Sequence, residues 1–237
     1  MSDVARAFVQ MLSKSDDVPE HVVSGILACQ ADAVEPLVAA LQDRSFDAPD
    51  HPSGGLVRAH AAELLGHLGE PEAVEPLLDV IVADRANTRL VKSVAGALAQ
   101  LHESLDGGIA APAMARVKAT DDVLARMMLA MVLASAKVQD PAVTELLREL
   151  LPQDPDIVLP LITTYGDPDL APDVARVLLD AEGEPQRVMQ AIHTLAKLGH
   201  RHPKLEALAN KADEVLRHEV GRELILSLAP DLAILAR

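Results

Sequence analysis

Four apolar residues, Val34, Leu37, Val38 and Leu41, follow the spacing i, i+3, i+4, i+7. Val74, Leu77, Leu78 and Ile81 repeat it, and so do Val143, Leu146, Leu147 and Leu150. This is the buried stripe of an amphipathic helix, written three times. Weaker copies occur at Ala110, Ala113, Met114 and Val117, at Val174, Val177, Leu178 and Ala181, and at Leu205, Leu208, Ala209 and Ala212. Each copy follows another helical segment. The preceding helices are predicted at about Glu20–Ala28, Leu56–Leu68, Arg89–His102, Val123–Val138, Ile157–Tyr165 and Pro185–Leu198. A lone helix pair cannot bury such a stripe, so the pairs must stack on one another.

The joints support this division. Gly69-Glu70-Pro71, Asp140-Pro141, Gly166-Asp167-Pro168 and Gly199 followed by Pro203 are stop-and-restart signals. Glycine takes the left-handed conformation that ends a helix. Aspartate caps the next helix, and proline in its first turn has no amide to lose. Pro36 and Pro76 each lie within about a turn of a predicted helix start, where a missing amide costs little. The phrase AVEPL, at Ala33–Leu37 and again at Ala73–Leu77, therefore opens the second helix of a two-helix unit.

The stretch VRAHAAELLGHLGEPEAVEPLLDVI carries Val57-Arg58, Ala61-Ala62, Leu68-Gly69, the joint Gly69-Glu70-Pro71, and Ala73 to Leu77. In this order the residues resemble a HEAT-like repeat of the type named after phycobilisome lyases. Four or five more degenerate copies fall between about Pro19 and Ala212. Val18 to Leu41 also resembles a group of uncharacterised bacterial HEAT-like proteins, a likeness that brings no function with it. The resemblance implies an all-α, right-handed α-α superhelical solenoid of about five to six helix pairs, its second helices lining the concave face. The expected organisation is a single domain over 1–237. Residues 1–18 cap the front, 19–212 form the repeats with a loop insertion at 44–55, and 213–237 cap the back.

Composition narrows the partners. Phe8, Phe46 and Tyr165 are the only aromatic residues of 237, and the formal net charge is −15. Nucleic-acid binding needs clustered cations and, for single strands, stacking platforms; neither is here. An anionic membrane surface is disfavoured on the same ground. A basic protein, a cation, or a partner with no special charge remains. One cysteine, Cys29, allows no intrachain disulfide, and reads as a small core residue. The start, MSDVARAFVQMLSKSDD, lacks the pattern of a signal peptide, and the apolar run Met127 to Ala136 is too short for a bilayer. A cytoplasmic protein is expected.

Several constellations invite a chemical reading. His60, Glu63 and His67 share roughly one helix face and are metal-ligand types, but they occupy the variable polar positions of the repeat. His218-Glu219, in RHEVGREL, is similar to one of the His-Glu pairs of deoxyhypusine hydroxylase, a HEAT-like di-iron enzyme. His102-Glu103 is the only other adjacent pair, and a di-iron site needs several. His193, His200 and His202 cluster at a joint, where an exposed turn is the default and a pH-sensitive contact the alternative. HEAT-like DNA glycosylases use a basic, aromatic groove that this composition does not supply. Attachment of a bilin would need a tetrapyrrole cleft that the sequence does not display. No cofactor and no metal are expected.

Glu35, Glu75, Asp79, Glu145 and Glu149 flank the apolar stripes of the second helices. Glu75 with Asp79 and Glu145 with Glu149 are i, i+4 like-charge pairs, which are mildly unfavourable in an isolated helix. They read either as a generally acidic, solvated surface or as a negative inner face for a basic protein partner. Phe46, in the insertion Arg44 to Gly55, is a candidate exposed anchor. The leading expectation is a non-enzymatic protein-interaction scaffold or assembly adaptor. The alternative is a metal- or prosthetic-group-dependent HEAT-like enzyme or lyase-like factor.

Overall fold

The computed structural model describes residues 3–14, 18–48, 51, 55–84, 86–181, 184–201, 203 and 205. Twelve α-helices and no strand occur among them. Contacts divide the chain into two compact units, Met1–Ala136 and Lys137–Arg237. The first holds α1 (Asp3–Met11), α2 (Glu20–Ala28), α3 (Val34–Gln42), α4 (Val57–Leu68), α5 (Val74–Ala83), α6 (Thr88–Ser104), α7 (Ala110–Ala119) and α8 (Val123–Ser135). The second holds α9 (Pro141–Leu150), α10 (Pro155–Tyr165), α11 (Ala171–Asp180) and α12 (Pro185–Lys197). In chain order α2 to α11 alternate as first and second helices of HEAT-like pairs. The second helix expected after α12, and the expected cap at 213–237, lie outside the described residues.

The predicted stripes are the core. Leu37, Leu41, Leu77, Leu78, Ile81, Val143, Leu147 and Leu150 have no exposed surface, whereas Val38 is half-buried. Burying each such leucine or isoleucine contributes about 1.5–3 kcal/mol. The joints behave as their residues dictate. Gly69 (φ 76°) and Gly166 (φ 81°) end α4 and α10 in the left-handed conformation. Pro71 and Pro168 then open short 3-10 turns that lead into α5 and α11. The side chains of Asn87, Asp122, Asp140 and Asp154 accept hydrogen bonds from first-turn amides of α6, α8, α9 and α10. The buried Tyr165 hydroxyl donates to the Asp140 carbonyl at 3.3 Å. Lys137, two residues past α8, is left-handed (φ 52°) without being glycine.

Within each unit, successive first helices pack directly on one another. In the first unit Gly66 of α4 faces α6, and a β-carbon added there would lie 2.7 Å from Ala97 Cα and 2.6 Å from Gln100 Oε1. In the second, Thr163 of α10 and Thr194 of α12 share a hydrogen bond at 2.8 Å, and Thr194 also donates to the Gln190 carbonyl.

One charge is deeply enclosed. Arg58, at the start of α4, is 1% exposed. Its Nε donates to the Leu41 carbonyl at 2.7 Å, and its two terminal nitrogens donate to Asp47 and Asp84. Arg44 also meets Asp84, at 2.6 Å. A guanidinium out of water is tolerable only when paired and hydrogen-bonded in this way. The network ties the end of α3, the 3-10 turn Arg44–Asp47 and the end of α5 to one side chain.

Candidate functional site

The sequence-expected carboxylates do not stand alone. Glu75 and Asp79, one turn apart on α5, both accept hydrogen bonds from Arg116 of α7. Burial pulls the Arg116 guanidinium down, but the hydrogen bonds and charges of the two carboxylates more than offset it, so its pKa stands above the ordinary value. In the second unit Arg148 of α9 donates to Asp173 of α11 at 2.8 Å and to Glu145 on its own helix. These bonds, that to Asp173 foremost, raise its pKa as well. Glu149 is exposed on α9. Two of the three acidic second helices, α5 and α9, are thus supplied with counter-cations, from α7 and from α9 itself.

Glu35 is placed differently. It lies on the rim of a groove of about 280 Å³ between α1, α3 and the turn Arg44–Asp47. Val9, Pro36 and Phe46 supply apolar wall, and Asp43 and Arg6 share the rim with Glu35. The fold therefore gathers two of the expected partner residues, Glu35 and Phe46. Phe46 is half-buried rather than fully exposed, and its ring meets that of His51 edge-on at 5.2 Å. Asp43 caps the turn by accepting from Ser45 N at 2.9 Å; the hydrogen bonds from Ser45 hold its carboxyl below the usual range. The turn itself is fixed by the Asp47–Arg58 pair.

A second cleft, of about 340 Å³, lies among α9 to α12. Arg148, Arg176 and Arg187 line it over Leu151, Pro152 and Val177. Its cations are occupied. Arg187 grips Asp156 with two bonds of 3.0 Å and meets Glu184 at 2.7 Å, while Arg148 holds Glu145 and Asp173.

The histidine constellations disperse. His60 Nδ1 is 3.6 Å from the Glu63 carboxylate, whose other oxygen accepts from Ser93 Oγ at 2.7 Å. His60 Nε2 is buried without a hydrogen-bond partner, and His67 is exposed. Among the described residues no three His, Cys, Asp or Glu side chains converge as metal ligands. His193 is exposed and His200 half-buried; His202 and the His218-Glu219 pair lie outside the described residues. Cys29 is half-buried, its thiol donating to the Gly25 carbonyl at 3.2 Å. Among the described residues no single helix is long and apolar enough to cross a membrane.

Sequence reasoning missed the Arg58 network and the Arg116 clasp. The Val57-Arg58 phrase was visible, but Asp47 and Asp84 lie 11 and 26 residues away, outside any local pattern. A family model described as the PBS lyase HEAT-like repeat matches residues 57–82, which span α4 and nearly all of α5. No curated protein and no solved structure gives a significant match to the chain. That match over one helix pair, with the all-helical pairs around it, supports a HEAT-like repeat protein.

Proposed function

We propose that the chain is a non-enzymatic protein-interaction scaffold or assembly adaptor that holds a protein partner on the surface of its second helices. The observation that carries this reading is the α1–α3 groove. There a half-buried phenyl ring, on a turn already fixed by a buried ion network, shares a groove with the carboxylates of Glu35 and Asp43. A concave surface with an apolar wall and a few placed polar groups is what recognition needs, and a pre-fixed wall lowers the ordering cost of binding. The repeat fold adds support only at the level of architecture, since stacked helix pairs present extended surfaces without dedicating them to a reaction.

The test combines capture with composition. Full-length protein is used to pull partners from its native cell, and cross-links are mapped by mass spectrometry. A partner cross-linked to α3, α5, α9 or α11 at defined stoichiometry is the expected result. A stoichiometric metal or a coloured group in the purified protein, with no partner recovered, would overturn the scaffold and favour the enzyme or lyase-like alternative.

A further inference from the structure

We infer that the α1–α3 groove takes a short, basic amphipathic segment, one large apolar side chain entering between α1 and α3 with lysine or arginine on its flanks. This rests on the scaffold reading and names the partner's chemistry.

Size speaks first. At about 280 Å³ the groove is just below the usual range for drug-sized ligands, so it suits one or two side chains of a peptide. Its wall of Val9, Pro36 and Phe46 offers apolar contact and no catalytic group. Phe46 has the character of an interface anchor: aromatic, half-buried before any partner arrives, and held in place. Asp47, the next residue, is bound by Arg58, which is itself enclosed and bonded to the last turn of α3 through the Leu41 carbonyl.

Charge decides the flanks. Glu35 in the first turn of α3 and Asp43 just past its end stand about 12 Å apart at the helical rise of 1.5 Å per residue. That spacing fits cations about two helical turns apart on a docked helix, the groove-binding mode in which one apolar face is buried. Hydrogen bonds from Ser45 keep Asp43 ionised. Glu35 and Asp43 against Arg6 make the lining acidic by formal charge in a chain of net charge −15, which draws cationic segments toward it. The second-unit cleft lacks such a bias, because Asp173, Glu145, Asp156 and Glu184 already occupy its guanidinium groups.

The experiment uses the full chain and a fluorescein-labelled twelve-residue peptide with leucine at i, i+3, i+4 and i+7 and lysine at most other positions. A second peptide carries glutamate for lysine. Fluorescence anisotropy should show saturable one-to-one binding of the lysine peptide and none of the glutamate peptide. Phe46→Ala, and separately the pair Glu35→Gln with Asp43→Asn, should each weaken binding about tenfold, as loss of an anchor does. Asparagine still caps the turn, so that variant keeps its fold. Phe46→Leu, which retains an apolar wall, should bind within about threefold of wild type. Glu103→Gln, an exposed charge removal on α6, should change nothing. Equal weakening by Glu103→Gln, no weakening by the groove variants, or no saturable binding would each overturn the inference. Cellular cross-links on other second helices, with the groove variants binding peptide normally, would sink the groove and leave the scaffold standing. Peptide binding as expected with no cellular partner recovered would do the reverse.

Discussion

The α4–α6 contact of the first unit and the α10–α12 contact of the second solve the same packing problem in opposite ways. Gly66 meets Ala97 and Thr163 meets Thr194, each across 31 residues of sequence. When Gly69 and Gly166 are aligned as helix ends, Gly66 and Thr163 fall at the same place in their helices. The first solution removes a side chain so that two backbones approach. The second keeps two hydroxyls and bonds them to one another. The same position in the repeat thus admits two different contacts. The stretch that the family model matches, 57–82, holds the glycine solution. The same alignment sets Arg58, a buried ionic hub, against Pro155, which carries no charge.

The sharpest way to break the comparison is at that hub. Arg58→Ala takes the enclosed counter-charge from Asp47, leaves Asp84 with only the exposed Arg44, and should cost about 3–5 kcal/mol in urea unfolding followed by circular dichroism. Asp156→Ala, beside Pro155, removes only a largely exposed partner of Arg187 and should cost no more than about 1 kcal/mol. Similar losses would mean that Arg58 is not the hub its burial implies.

Next comes the glycine. Gly66→Ala should destabilise by about 1–3 kcal/mol, since the new methyl meets the Ala97 backbone as well as the movable end of Gln100. Gly96→Ala, on α6 with nothing within 4 Å of the new carbon, should instead stabilise by about 0.5–1 kcal/mol through helix propensity. If Gly66→Ala also stabilises, the close approach is not required.

The hydroxyl solution is tested by Thr194→Val, which removes the bond between the hydroxyls while Thr163 Oγ1 keeps the Leu159 carbonyl, and should cost about 0.5–1.5 kcal/mol. Adding Thr163→Val removes the other half of a bond already lost, so the double variant should lose less than the sum of the single ones. Additive losses would show that the two hydroxyls are not coupled.

The smallest effect is expected at Lys137. Glycine there relieves a left-handed side-chain residue but loosens the unfolded chain, so Lys137→Gly should raise stability by no more than about 1 kcal/mol. A loss in thermal melting would mean that the lysine side chain contributes more than its backbone costs.

Helix positions were legible because they rest on local rules. The Glu20–Ala28 prediction matches α2, and the glycine–proline joints fall where capping chemistry puts them. Errors came where one residue broke the pattern. α8 stops at Ser135 rather than Val138 because the chain turns left-handed at Lys137, which no glycine announces. α10 begins at Pro155, earlier than Ile157, because Asp154 caps it. The candidate site was legible only in pieces. Glu35 was read as one of a row of inner carboxylates and Phe46 as a loop anchor, and nothing local says that they line one groove. Arg116 reaches Glu75 and Asp79 across 41 and 37 residues, a pairing that only the stacking of α5 and α7 creates.

That clasp sets a condition on anything seeking α5. An incoming cation does not find two bare carboxylates there; it finds them already liganded by a tethered rival at high local concentration. Binding at α5 is therefore an exchange, in which a newcomer must displace the bonds that the molecule already makes with itself.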